Sequence, residues 1–174
     1  KIISEEENIF LKTHSSLIPI NGHSFTSKKY TAGAIYIVRD PRNVITSLGN
    51  HYNLNFQESL EFMSNSKKYI IDDRKDKKSF SSFQFISSWS NNVMSWKNCQ
   101  EFKVLFIKYE DLEKNQNKVF LDILYFLNNI LKNKIKISEI RVKNIIDSIS
   151  FDLLKKKELD NGFPESVENK NKKK

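Results

Sequence analysis

Short apolar runs alternate with longer amphipathic stretches along this chain. Ala34-Ile35-Tyr36-Ile37-Val38 is a mostly β-branched run between Gly33 and Arg39-Asp40-Pro41. A run of that length and composition predicts a buried strand over 34–39. "NIFLKTH" (8–14) and "KVLFIKYEDL" (103–112) have the same character with polar exits, and predict two more strands. Elsewhere the period lengthens. Pro41 to about Tyr52 predicts a helix, with Asp40 as N-cap and Pro41 in the first turn, where a missing N–H costs nothing. Across 83–97, Phe85, Trp89, Val93 and Trp96 recur at intervals of four, four and three, which is one helical face. Residues 115–131 and 137–150 predict two further amphipathic helices. The stretch 53–82 is polar, with a short helix expected in "FQESLEFMSNSKKYIIDD" and a loop at "RKDKKSFSS". Strands alternating with helices predict an α/β fold of three layers, α/β/α, around a mainly parallel sheet. With no repeat and no linker, 1–174 is expected to be a single domain.

Composition narrows the picture only modestly. A hydrophobic fraction of 39%, with 12% aromatic residues, excludes a disordered chain. The net charge of +8 suits an anionic ligand, nucleic acid or an acidic surface. Much of that excess is lysine scattered among asparagines, and some sits in the terminal "NKNKKK", so 166–174 is expected to be a frayed end. Charge alone therefore does not argue for nucleic-acid binding. Cys99 is the only cysteine, which excludes an intrachain disulfide and a CxxC metal site. No apolar stretch approaches the roughly 18 residues of a membrane span, and no signal-peptide pattern opens the chain. A cytoplasmic protein is expected. The chain begins at Lys1 and stops in a lysine run, so both ends read as cut.

The candidate chemistry lies at the strand exits. In a parallel sheet, ligands bind beyond the carboxyl ends of the strands. The three expected strands exit into Lys12-Thr13-His14, Arg39-Asp40 and Tyr109-Glu110-Asp111. Arg39-Asp40-Pro41-Arg42 also marks a strand giving way to a helix N-terminus, where backbone N–H groups and the helix dipole favour anions. If the strands are adjacent, these groups form a cleft suited to a phosphate- or sulfate-bearing ligand. Glu110 and Asp111 read as residues that cap and turn the strand into the next helix. Arg42 reads as a surface or supporting charge.

"FLKTHSSL", "YIVRDPRNVITS", "SWSNNVMSW", "VLFIKYEDL" and "SISFDLLKKKE", in that order and spacing, resemble the sulfotransferases that use 3′-phosphoadenosine 5′-phosphosulfate (PAPS). The resemblance runs from about residue 8 to 165 and implies a P-loop-NTPase-like fold, incomplete here at both ends. It also implies roles. Arg39 matches the arginine that binds the nucleotide's 3′-phosphate, and Ser47, eight residues on, the serine that shares it. His14 matches the general base and Lys12 the lysine that steadies charge on the transferring group. A histidine titrates near neutrality and can take an acceptor's proton, and strand alternation would put Lys12 on its face. Tyr109 matches a tyrosine near the adenine. Phe151 matches an aromatic that packs on the base, though core packing explains it as well. Ile149 stands where relatives often carry threonine, which removes a side-chain hydrogen bond to the base. The segment 53–82 falls where the family varies its acceptor pocket and lid.

The family's Pro-Lys-Ser-Gly-Thr-Thr-like loop for the 5′-phosphosulfate has no counterpart, and neither has its Arg-Lys-Gly and Gly-Asp-Trp segment. These 174 residues are accordingly expected to bind nucleotide weakly and transfer little sulfate. The implied reaction is sulfuryl transfer from PAPS to a hydroxyl or amine of a small-molecule, glycan or lipid acceptor, without a metal. The alternatives are a non-catalytic nucleotide-binding remnant or a basic nucleic-acid-binding module. No RNP, zinc or helix-turn-helix pattern supports the latter. A nucleoside-phosphate kinase would need a GxxxxGK[ST] loop, which is absent.

Overall fold

The computed structural model describes residues 8–71, 83–131, 136–149 and 151–161. Eleven elements follow one another: β1 (Gly33–Val38), α1 (Pro41–Tyr52), α2 (Phe56–Ser64), β2 (Tyr69–Ile71), β3 (Phe83–Phe85), α3 (Trp89–Lys97), β4 (Lys103–Lys108), α4 (Tyr109–Lys114), α5 (Gln116–Leu131), α6 (Glu139–Ser148) and α7 (Phe151–Asn161). β1 and β4 pair in parallel, in register from Gly33 beside Lys103 to Val38 beside Lys108. β2 and β3 form a separate antiparallel pair. The fold is α/β, as the alternation of periods predicts.

Local chemistry explains most boundaries. Asp40 caps α1 by accepting the Arg42 N–H at 2.9 Å, and Pro41 occupies the first turn. Asn55 and Glu58 form a capping box on α2, each side chain accepting the other's backbone N–H, at 3.0 and 2.8 Å. Ser88 starts α3 by accepting from the Asn91 N–H, and Ser138 does the same for α6 with Arg141.

Four expected elements differ. Residues 8–14 form no strand. The N–H of His14 goes to Gln84 Oε1 (2.6 Å), that of Ser15 to Thr13 Oγ1 (3.0 Å) and that of Leu17 to Ser95 Oγ (3.0 Å). A side-chain acceptor thus takes the His14 donor, and just beyond the run the Ser16 N–H reaches the Phe85 carbonyl at 2.7 Å. The expected helix over 83–97 is also split. Phe83–Phe85 is strand β3, and Ser87 turns the chain with φ of 57° before α3 begins. Phe85 therefore leaves the helical face that Trp89, Val93 and Trp96 share. Likewise Tyr69–Ile71 is strand and not helix, and "KVLFIKYEDL" is strand only to Lys108. The expected loop at 74–82 and the lysine-rich end at 166–174 lie outside the described residues.

Among the described residues the buried apolar set is Trp96, Ile107, Val119, Val142 and Ile146. Tyr36 of β1 sits between Trp96 of α3 and Phe106 of β4, with ring centroids 5.8 and 5.1 Å away. α5 closes on the start of β1. A Cβ on Gly33 would lie 2.9 Å from Ile130 Cδ1 and 3.1 Å from the Lys103 carbonyl oxygen, so a larger residue there would have to push the end of the Ile130 side chain and the Lys103 carbonyl aside.

Candidate active site

The parallel register sets the site. Since Val38 lies beside Lys108, the next residues, Arg39 and Tyr109, leave their strands together at the carboxyl edge. The Arg39 guanidinium carbon stands 4.5 Å from the centroid of the Tyr109 ring, a cation–π contact. Arg39 Nε is buried and has no hydrogen-bond partner among the described residues. A buried, unpaired donor on a fixed cation costs free energy, and an anionic oxygen would remove that cost.

The neighbouring charges are already engaged. Asp40 accepts from Arg42 through Nε at 3.0 and 3.1 Å, as well as through the capping N–H. The side-chain bonds to Arg42, then the backbone bond, hold the Asp40 carboxyl down at about 2. Arg42 is therefore occupied by Asp40, although its side chain is 88% exposed. Glu110 Oε1 accepts the Asp40 N–H at 3.1 Å. Its own backbone N–H and that of Asp40 hold the Glu110 carboxyl below its ordinary value. Glu110 thus pins the turn between β1 and α1, which goes beyond the strand-turning role expected for it.

Ser47 lies exposed on α1. Lys12 and His14 are exposed on the segment that runs beside β3 and α3. Phe151 opens α7, and its side chain is outside the described residues. Arg39 and Tyr109 are therefore in contact, while His14 belongs to a different segment tied back to β1 through α3. That tie is Asn92, which donates to the His14 carbonyl at 3.0 Å and accepts from the Tyr36 hydroxyl at 2.9 Å. Sequence reasoning missed Asn92 and Gln84. The available signal for Asn92 was a polar residue four before Trp96 and three after Trp89, on the otherwise apolar face of α3.

A cavity of about 330 Å³, lined by Lys28, Glu101, Phe102, Lys103 and Ile130 among others, lies at the opposite, amino-terminal end of the strand pair. Among the described residues no group of three or more His, Cys, Asp or Glu is placed to hold a metal ion. No helix among them is long and apolar enough to cross a membrane.

A parallel strand pair with helices following its strands defines an α/β protein, and at its carboxyl edge an arginine stands beside a helix N-terminus, an arrangement whose N–H groups and dipole favour negative charge. The sulfotransferase domain family matches residues 3–174, and the chain belongs to that family. It is 25% identical over 151 residues to the luciferin sulfotransferase of Photinus pyralis, covering 84% of this chain and 35% of the relative. Among solved structures it resembles mouse sulfotransferase SULT7A1, crystallised in complex with PAP. The TM-score is 0.52 at 24% identity, over 81% of this chain and 45% of that one. This second likeness is one of fold. The chain thus spans less than half the length of either relative.

Proposed function

We propose that the chain carries the 3′-phosphate end of a PAPS site and the general base of a sulfuryl transfer. Arg39, steadied on Tyr109, pairs with the 3′-phosphate, and Ser47 donates to the same group from α1. Tyr109 also borders the adenine, with Phe151 packing on the base. His14 takes the proton of an acceptor hydroxyl or amine as that atom attacks sulfur. The bond between sulfur and the 5′-phosphate oxygen breaks, leaving the sulfated acceptor and adenosine 3′,5′-bisphosphate. Lys12 steadies negative charge on the transferring group. Segment 53–82 contributes to the pocket for a small-molecule, glycan or lipid acceptor, and the reaction runs in the cytoplasm without a metal.

The observation that carries this reading is the buried Nε of Arg39, without a hydrogen-bond partner among the described residues, at the carboxyl edge beside a capped helix N-terminus. Titration calorimetry with adenosine 3′,5′-bisphosphate tests it. Arg39→Ala is expected to weaken binding at least tenfold, and equal affinity in the two proteins would remove Arg39 from the site.

A further inference from the structure

The main chain of His14 is held from both sides by side-chain amides. Gln84 Oε1 accepts its N–H at 2.6 Å, and Asn92 Nδ2 donates to its carbonyl at 3.0 Å. Asn92 gives its other hydrogen to the Ile86 carbonyl at 2.8 Å, and its Oδ1 accepts from the Tyr36 hydroxyl at 2.9 Å. Two carbonyls on one side and a hydroxyl on the other admit only this orientation of the amide. The grip continues along one face of α3. Ser95 Oγ accepts the Leu17 N–H, and the Trp96 indole N–H donates to the Ser15 carbonyl at 3.0 Å. Positions 92, 95 and 96 are spaced three and four apart, so they share a helical face.

Apart from the Tyr36–Asn92 bond, these bonds all involve main-chain atoms. They fix the direction of the His14 Cα–Cβ bond without using its ring. Tyr36 sits on β1, three residues before Arg39, so a single amide joins the segment bearing His14 to the strand that leads into Arg39. Burial raises the Tyr36 phenol to about 12, which keeps it a donor throughout the neutral range.

We propose that Asn92 and Gln84 are positioning residues for His14, and that Tyr36 couples their grip to the strand carrying Arg39. The inference rests on the reading of His14 as the general base. It predicts that the hydrogen-bond donors of Asn92, and not its volume, set the place of the base.

Asn92→Asp tests this in the full chain, because it keeps the shape and the Tyr36 acceptor but has no N–H to give. Two readouts serve: amide hydrogen exchange, and the ring carbon–proton resonances of the three histidines, with His23 and His51 as internal controls. Exchange at the His14 and Ser16 amides should rise at least tenfold relative to Ile107. The His14 ring resonances should move while those of His23 and His51 stay. Tyr36→Phe retains both Asn92 donors and should raise the same exchange about threefold. Wild-type exchange and ring resonances in Asn92→Asp would overturn the proposal, as would a rise spread equally over β4. Should Asn92→Asp unfold the chain, Tyr36→Phe decides on the same two readouts, and no change there would overturn it. Failure of wild-type protein to bind adenosine 3′,5′-bisphosphate would instead overturn the nucleotide reading and leave the exchange results standing.

Discussion

At the scale of single residues, partners already engaged separate the charges available to a ligand from those that are not. Arg42 is occupied by Asp40, whereas Arg39 has its guanidinium over Tyr109 and a buried N–H unmatched among the described residues. Tyr109→Phe keeps the ring and should leave nucleotide affinity within about twofold. Tyr109→Leu removes a contact of roughly 0.5–1 kcal/mol and should weaken binding severalfold by calorimetry. Tyr36 makes a second prediction. Its folded value near 12 lies above the ordinary 10, so the unfolded chain loses this proton first as pH rises. The stabilisation from the neutral phenol is complete below pH 10 and is lost as pH climbs towards 12. Denaturant midpoints measured from pH 8 to 12 should therefore fall less steeply in Tyr36→Phe.

At the scale of elements, the caps decide. Asn55 satisfies a donor at the start of α2, and replacing it with alanine should cost about 1 kcal/mol, read as a lower denaturation midpoint with an unchanged slope. Helix α1 was legible in the sequence because Asp40-Pro41 is a local start signal and needs no distant partner. β1 and β4 were legible because each is a compact run with a clear polar exit. Residues 8–14 carry the same kind of apolar run, yet they form no strand, and the partner of the His14 N–H is Gln84, 70 positions away. The candidate site divides the same way. Arg39 and Tyr109 follow from two strand ends, whereas Asn92 acts on partners 56 and 78 positions distant, which no local period reveals.

At the scale of the whole molecule, the described core is small and the apolar surface large. Phe10 is 71% exposed and Leu11 84% exposed, beside the segment that bears His14. Exposed apolar groups of that size favour self-association. The double change Phe10→Ser and Leu11→Ser should lower association measured by sedimentation at micromolar concentration. It should shift stability by no more than about 0.5 kcal/mol, as surface substitutions usually do.

The parallel register between β1 and β4 makes the Arg39–Tyr109 contact discrete. A strand advances about 3.3 Å per residue and turns each successive side chain to the opposite face. Slipping β4 by one position would carry Tyr109 that far along and aim its ring away from the guanidinium. Substitution can tune this contact by degrees, whereas a one-residue insertion in either strand shifts the register by a whole step unless a bulge absorbs it. What the Arg39–Tyr109 pair demands of the chain here is a length, counted from Gly33 to Arg39 and from Lys103 to Tyr109, as much as two side chains.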